Sequence, residues 1–267
     1  MAILFSGDFH AGARGELDLI NKRRLINKYG EKLYNKIKYH IILGDAGFMW
    51  PDNAKKDEYN YKILSEREFP ILCVMGNHEP VYGRPDLPEI DIGIGENVIV
   101  VNEKNPFVAY LKRGKVYNID DYKFLVLGGA LSTDKYRRVE GRSWWKEEYW
   151  SDEEKKDLFS LLKKEKEFSF VVSHTGPESI NWNLAVRGVP NGDSKMMDKV
   201  GELNEKINKI IKHRAWFCGH WHYDYLNKGL FRDETADEKK YFYLYEQTLV
   251  LNKNKLIVKK DMEEIDV

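Results

Sequence analysis

Five short polar clusters carry most of the reactive side chains of this sequence: Gly7-Asp8-Phe9-His10, Gly44-Asp45, Gly76-Asn77-His78-Glu79, Ser173-His174 and Gly219-His220-Trp221-His222. They hold five of the seven histidines, and each follows an apolar, β-like run. One Gly-Asp pair after a strand is an ordinary turn; five such clusters in one chain are not. Carboxylate, amide and imidazole donors without thiolate suit Mn, Fe, Co, Ni or Zn. The donors Asp8, His10, Asp45, Asn77, His174, His220 and His222 are too many for one catalytic ion with an open position. They match two ions sharing a carboxylate, the arrangement that clamps an in-line displacement at phosphorus. In an extended segment residues i and i+2 face one way. Asp8 with His10, and His220 with His222, are therefore each expected to offer two donors to one side. Glycine before four of the clusters lets the backbone turn tightly and approach the site.

Positioning such clusters requires strands that all end at one edge. The runs at residues 2–5, 40–43, 70–75, 123–127, 168–173 and 215–218 have that character, and helical patterns alternate with them. Helices are expected over Glu16–Ile37, with Gly30 as an interruption, and over Ala54–Glu68, Asp152–Lys166 and Lys195–Lys212, the third capped by Ser151. Residues 97–119 and 241–259 read as successive short strands. The class is α/β, in which ligands bind at the carboxyl ends of strands. With no repeat and no Pro/Gly/Ser linker, residues 1–267 are expected to form one domain.

The order Asp-x-His, Gly-Asp, Gly-Asn-His-Glu, His, Gly-His-x-His resembles the calcineurin-like metallophosphoesterases, and the resemblance spans Asp8 to His222. It implies a four-layer fold, two mixed β-sheets in a sandwich flanked by helices. Asp8, His10 and His222 would bind one divalent ion and Asn77, His174 and His220 a second, with Asp45 between them. Manganese is the first choice, with Fe, Zn, Ni or Co as alternatives. His78 would contact the phosphate and act as general acid, and Glu79 would support that turn. The implied activity is phosphoester hydrolysis, as phosphatase or phosphodiesterase, by a metal-activated hydroxide. A nuclease or cyclic-nucleotide phosphodiesterase is the alternative enzyme; a non-catalytic scaffold is disfavoured because every ligand position is filled. One departure narrows the branch. The protein Ser/Thr phosphatases extend the second motif to Gly-Asp-x-x-Asp-Arg-Gly, whereas this chain reads Gly44-Asp45-Ala46-Gly47-Phe48-Met49-Trp50. Another cation must meet the phosphate. Residues 128–145 resemble an insert of bacterial and phage phosphoesterases and offer Lys135, Arg137, Arg138 and Arg142; Arg14 is a further candidate.

Composition bounds the partners. Lys and Arg number 43 and Asp and Glu 43, so the formal net charge is +0, which speaks against a broad nucleic-acid or membrane surface. A small phosphoester or nucleotide remains the expected substrate. The chain opens without a basic leader and has no run long enough to span a membrane, so a cytoplasmic protein is expected. Cys73 and Cys218 lie in apolar runs and read as buried free thiols. Trp50, Trp144, Trp145, Trp182 and Trp221 lie near the motif loops, where packing is weighed ahead of nucleobase stacking. His40 is placed at the start of a strand and His213 at a helix end, where a cation suits the dipole. The last strands and the acidic end are expected to complete the second sheet and trail into solvent.

Overall fold

The computed structural model describes residues 1–10, 21–47, 68–101, 107–186, 198–226, 239–259 and 262–267. The first half supplies strands β1 (Ala2–Ser6), β2 (Ile37–Ile42), β3 (Ile71–Val74), β4 (Glu89–Ile90), β5 (Val98–Val100) and β6 (Val108–Leu111). Strands β7 (Lys115–Ile119), β8 (Tyr122–Leu127), β9 (Phe170–Ser173), β10 (Ala215–Cys218), β11 (Tyr225–Leu226) and β12 (Lys240–Tyr243) follow. Strands β13 (Thr248–Asn252), β14 (Lys255–Lys259) and β15 (Met262–Asp266) come last. Nine strands form one sheet, in the order β15-β14-β13-β1-β2-β3-β6-β5-β4, and six form the other, β11-β12-β10-β9-β8-β7. Both are mixed. Parallel pairs β1/β2, β2/β3, β8/β9 and β9/β10 occupy the centres, and antiparallel strands flank them.

Alternation along the central strands builds four layers. Ile3 and Phe5 of β1, Ile41 of β2 and Leu72 and Val74 of β3 face Phe124, Phe170, Phe217 and Phe242 of the second sheet, forming the core between the sheets. The intervening residues Leu4, Ile42 and Cys73 point the other way. They pack under helices α1 (Lys22–Tyr29) and α2 (Glu31–Tyr34) through Leu25, Tyr29 and Tyr34. On the far side Leu125, Val171 and Trp216 pack under α3 (Asp152–Lys164), α4 (Glu178–Val186) and α5 (Lys199–Ile210). Phe5 and Phe217 stack at 4.4 Å with 6° between ring planes, joining the two sheets three residues before Asp8 and His220. Truncating either ring would open a cavity at the base of the site, at a cost of about 3 to 5 kcal/mol.

The expected strands are present, with shifted ends. Gly30 (φ 80°, ψ 150°) splits the first expected helix into α1 and α2, and Ile37 is already the first residue of β2. Residues 16–20 and most of the helix expected over 54–68 lie outside the described residues. Ser151 caps α3 in a full capping box with Glu154, and the helix stops at Lys164 because Glu165 is extended. Helix α4 was not anticipated: Ile180 and Leu184 are buried, but Trp182 is exposed and the pattern is short. The C-terminal expectation is corrected. Only β12 joins the second sheet, whereas β13, β14 and β15 extend the first, with β13 antiparallel to β1. Leu256 and Ile265 need the core between the sheets, so the acidic end is an edge strand rather than a tail. Among the described residues no helix is long and apolar enough to cross a membrane.

Candidate metal centre

All five clusters meet beyond the carboxyl ends of β1, β2, β3, β9 and β10, where the parallel centres of both sheets end together. Four residues there adopt left-handed backbone rare for non-glycine residues: His10 (φ 44°), Asp45 (φ 49°), His220 (φ 72°) and His222 (φ 50°). Long-range hydrogen bonds hold these turns. His10 N donates to Asp45 O at 2.7 Å, Gly219 N to His174 O at 2.9 Å, and His220 N to Asp8 Oδ2 at 2.7 Å. His78 N donates to Asp45 Oδ1 at 2.8 Å. The glycines supply close approach: a Cβ on Gly44 would lie 2.2 Å from His174 Nδ1, and one on Gly76 would lie 2.2 Å from Asp45 Oδ1.

Each carboxylate thus anchors one oxygen on a backbone N–H and presents the other. Asp8 Oδ1 lies 3.8 Å from His222 Nε2 and 3.8 Å from His174 Nε2. Asp45 Oδ2 lies 3.4 Å from His174 Nε2 and 3.9 Å from His10 Nε2. His10 and His222 bring their Nε2 atoms within 3.2 Å of each other. Asp8, His10 and His222 form one group able to hold an ion, and Asp8, Asp45 and His174 another. Asn77 Oδ1 sits 2.9 Å from His174 Nε2, and the His220 ring lies 4.9 Å from the His174 ring. All seven expected donors therefore converge. The extended segment assumed for His220 and His222 is corrected. Strand β10 ends at Cys218 and both residues are left-handed, with the His220 ring 4.9 Å from His174 and the His222 ring 5.3 Å from His10.

Lone pairs crowd the centre. His174 Nδ1 donates to Leu43 O at 2.8 Å, which turns the Nε2 lone pair of the neutral ring toward Asn77 Oδ1, Asp45 Oδ2 and Asp8 Oδ1. A proton or a cation must lie among these acceptors. Burial alone would lower His174, but Asp45 and Asp8 raise it to about 9, so without metal this spot is held by a proton. Burial would raise Asp45, yet His174 and His78 hold it well below the carboxylate range. Burial pushes Asp8 up, against the pull of His174. Burial and the neighbouring His174 keep the His220 ring neutral. Asp8 Oδ1 and His220 Nε2 are buried with no hydrogen-bond partner among the described residues. Such orphans destabilise a fold unless something binds them. Two oxygen-rich, imidazole-rich groups with buried orphan donors fit divalent transition ions.

A second ring of residues orients the first. Asn77 Nδ2 donates to Ser132 Oγ and to His78 Nε2, both at 3.0 Å, which leaves Oδ1 facing the centre. Ser132 in turn donates to the fully buried Glu148, whose carboxyl burial pushes up. Glu79 Oε1 accepts from Ala46 N at 2.8 Å and is raised to about 8 by burial and by Asp45, so it braces the turn beside Asp45. Tyr245 stacks on His222 at 4.7 Å. Nothing in their spacing singled out Ser132, Glu148 or Tyr245, because none lies in a motif. His78 is lowered to about 4 by burial and by Arg138, against Asp45 and Asp134, and its Nε2 is 4.0 Å from Asp134 Oδ1.

The expected phosphate cations separate. Arg138 lies near His78, but Nε and Nη2 are committed to Asp134 at 2.7 Å each and Nη1 to Ser143 O. Lys135 lies over Trp144 at 5.8 Å and Arg137 over Tyr136 at 5.2 Å, while Arg142 is exposed. Arg14 and Trp50 lie outside the described residues. Trp145 and Trp221 are buried loop anchors, the latter donating to Asn181 Oδ1 at 3.1 Å. His40 lies inside β2, hydrogen-bonded to Ser6 Oγ at 2.8 Å. The expectation of a charged His213 at a helix end is overturned: it lies past α5, buried, and is lowered to about 3 by burial and by Lys239.

The calcineurin-like phosphoesterase family profile matches residues 1–224. No curated protein matches the sequence. Among solved structures, phosphopantetheinyl hydrolase from Mycobacterium tuberculosis aligns with a TM-score of 0.50 at 11% identity, over 92% of this chain and 90% of that one. A dimetal phosphatase from Danio rerio aligns with a TM-score of 0.49 at 11% identity, over 100% of this chain and 98% of that one.

Proposed function

This chain belongs to the calcineurin-like phosphoesterase family, a membership that supports metal-dependent phosphoester hydrolysis, and from that premise we propose that it hydrolyses small phosphoesters, nucleotides among them, at a dinuclear manganese centre. Asp8, His10 and His222 would hold one ion and Asn77, His174 and His220 the other, with Asp45 Oδ2 standing 3.9 Å from His10 Nε2 and 3.4 Å from His174 Nε2. When bound, the pair supplies an acidified water and positive charge for the phosphoryl oxygens. His174 would bind an ion through Nε2 as the neutral ring, which its Nδ1–H bond to Leu43 O orients. His78 is neutral at neutral pH and accepts from Asn77 Nδ2 through Nε2, the nitrogen that also lies 4.0 Å from Asp134 Oδ1. A proton taken up there on substrate binding, which Asp134 favours, would make Nε2 the donor to the leaving oxygen. Buried free thiols at Cys73 and Cys218 suit a reducing compartment, and we place the protein in the cytoplasm.

The observation that carries this reading is the set of buried lone pairs around His174 Nε2, together with the orphaned Asp8 Oδ1 and His220 Nε2. The test is reconstitution of stripped protein with Mn, followed by assay on p-nitrophenyl phosphate and bis(p-nitrophenyl) phosphate, with metal counted by mass spectrometry. Asp45→Asn is expected to abolish turnover and reduce bound Mn. His78→Ala should lower turnover by about a hundredfold with both ions retained. Full turnover by Asp45→Asn defeats the proposal, and the ratio of the two substrates decides between monoesterase and diesterase.

A further inference from the structure

We infer that a lysine-lined cavity between the loop after β8 and the start of α5 is a subsite for a second phosphate on the substrate. The preferred phosphoester then carries two phosphates, an inference that rests on the metal centre being the site of hydrolysis. The cavity measures about 460 Å³, within the range of small-ligand pockets. Leu131, Trp150 and Leu203 give it an apolar floor, and Trp150 Nε1 is tied to Gly128 O at 2.8 Å. Lys135, Lys155 and Lys199 line it, and among the described residues no acidic side chain does.

These ammonium groups are weakly engaged. Lys155 meets Asp152 at 3.1 Å, but that carboxylate is fully exposed, so the pair contributes little. Lys199 is exposed and makes no ion pair with a described residue. Three ammonium side chains lining one cavity make its local potential positive, which a dianionic phosphate would complement.

Cavity and metal centre share one strip of chain. Leu131 and Lys135 line the cavity. Between them, Ser132 Oγ accepts from Asn77 at 3.0 Å and Asp134 faces His78 at 4.0 Å. Leu131 N also donates to Asp198 Oδ2 at 3.1 Å, which ties this strip to the cap of the helix that carries Lys199. On this inference, a substrate with one phosphate at the metals reaches across this strip and places its second among the lysines.

The test compares adenosine 3′,5′-bisphosphate with adenosine 5′-monophosphate on the native chain and on Lys155→Ala/Lys199→Ala. In the Mn-loaded enzyme the double variant should raise KM for the bisphosphate about tenfold. It should leave kcat for that substrate, and kcat/KM for the monophosphate and for p-nitrophenyl phosphate, unchanged. Calorimetric titration of both nucleotides into chelator-treated protein reads the lysines without turnover. The native chain should favour the bisphosphate there, and the variant should not. This arm separates the inference from the proposed activity, because it stands or falls even if no ester is hydrolysed. Equal affinities in the native chain, or a preference that the double variant keeps, overturns the subsite.

Discussion

Gly76→Ala perturbs the centre without replacing a ligand. A Cβ at this position would stand 2.2 Å from Asp45 Oδ1 and 2.4 Å from Asp45 N, against an ordinary contact of about 3.5 Å. Asp45 has nowhere easy to go. It is buried, its backbone is left-handed, its Oδ1 accepts from His78 N, and its carbonyl accepts from His10 N. Relief of the overlap must therefore move the Asp45 carboxylate by about 1 Å relative to His174 and His10, or swing the turn that carries Asn77 and His78. A misplacement of about 1 Å costs on the order of a hundredfold in rate when the displaced group positions the reacting atoms. The expected outcome is kcat/KM for p-nitrophenyl phosphate down about a hundredfold with Mn present, fewer than two Mn per chain, and a cooperative unfolding transition retained. Mass spectrometry for metal, a steady-state assay and circular dichroism measure the three. A variant with native turnover and full Mn occupancy would refute the claim that this glycine sets the position of Asp45.

Two further expectations address the surroundings. Ser132→Ala removes the acceptor that orients Asn77 Nδ2 and should weaken Mn binding or activity by about ten- to a hundredfold; unchanged Mn titration and turnover would show that Ser132 does not orient Asn77. His213 concerns pH. It is lowered from its ordinary 6.5 to about 3 by burial, so the unfolded chain takes up a proton that the fold refuses as pH drops through that window. Stability is intact above about pH 6.5 and falls toward pH 3 by at most about 1.4 kcal/mol per pH unit from this group. His213→Gln, which can still reach Asn208 Oδ1, should flatten that slope in urea titrations at pH 7, 5.5 and 4.5. Parallel slopes for the two proteins would contradict the buried neutral ring.

The residues that make the centre were legible because their chemistry is local. A glycine, then Asp, Asn or His, directly after an apolar strand is visible in a few consecutive letters, and parallel central strands bring such ends to one edge. Interruption of the first helix at Gly30 and the Ser151 cap were readable for the same reason, as each depends on neighbours within a turn. The left-handed turn that carries His220 and His222 was not. His220 N donates to the Asp8 Oδ2 carboxylate oxygen across 212 residues of chain, which holds the turn out of the extended form assumed from β10.

Charge assignments failed where packing overruled residue type. Arg138 looked available until Asp134, four residues before it, took its guanidinium, and His213 looked cationic until burial took its proton. Strands β13, β14 and β15 could have joined either sheet by their own pattern; the core between the sheets that accepts Leu256 and Ile265 decided it. The sequence by itself determined which donors exist, that they stand at strand ends, and hence that metal-assisted phosphoester chemistry is available. Only the tertiary structure decided which lone pairs meet, which cations stay uncommitted and where the lysines gather, because those depend on contacts between segments whose separation along the chain carries no local signal.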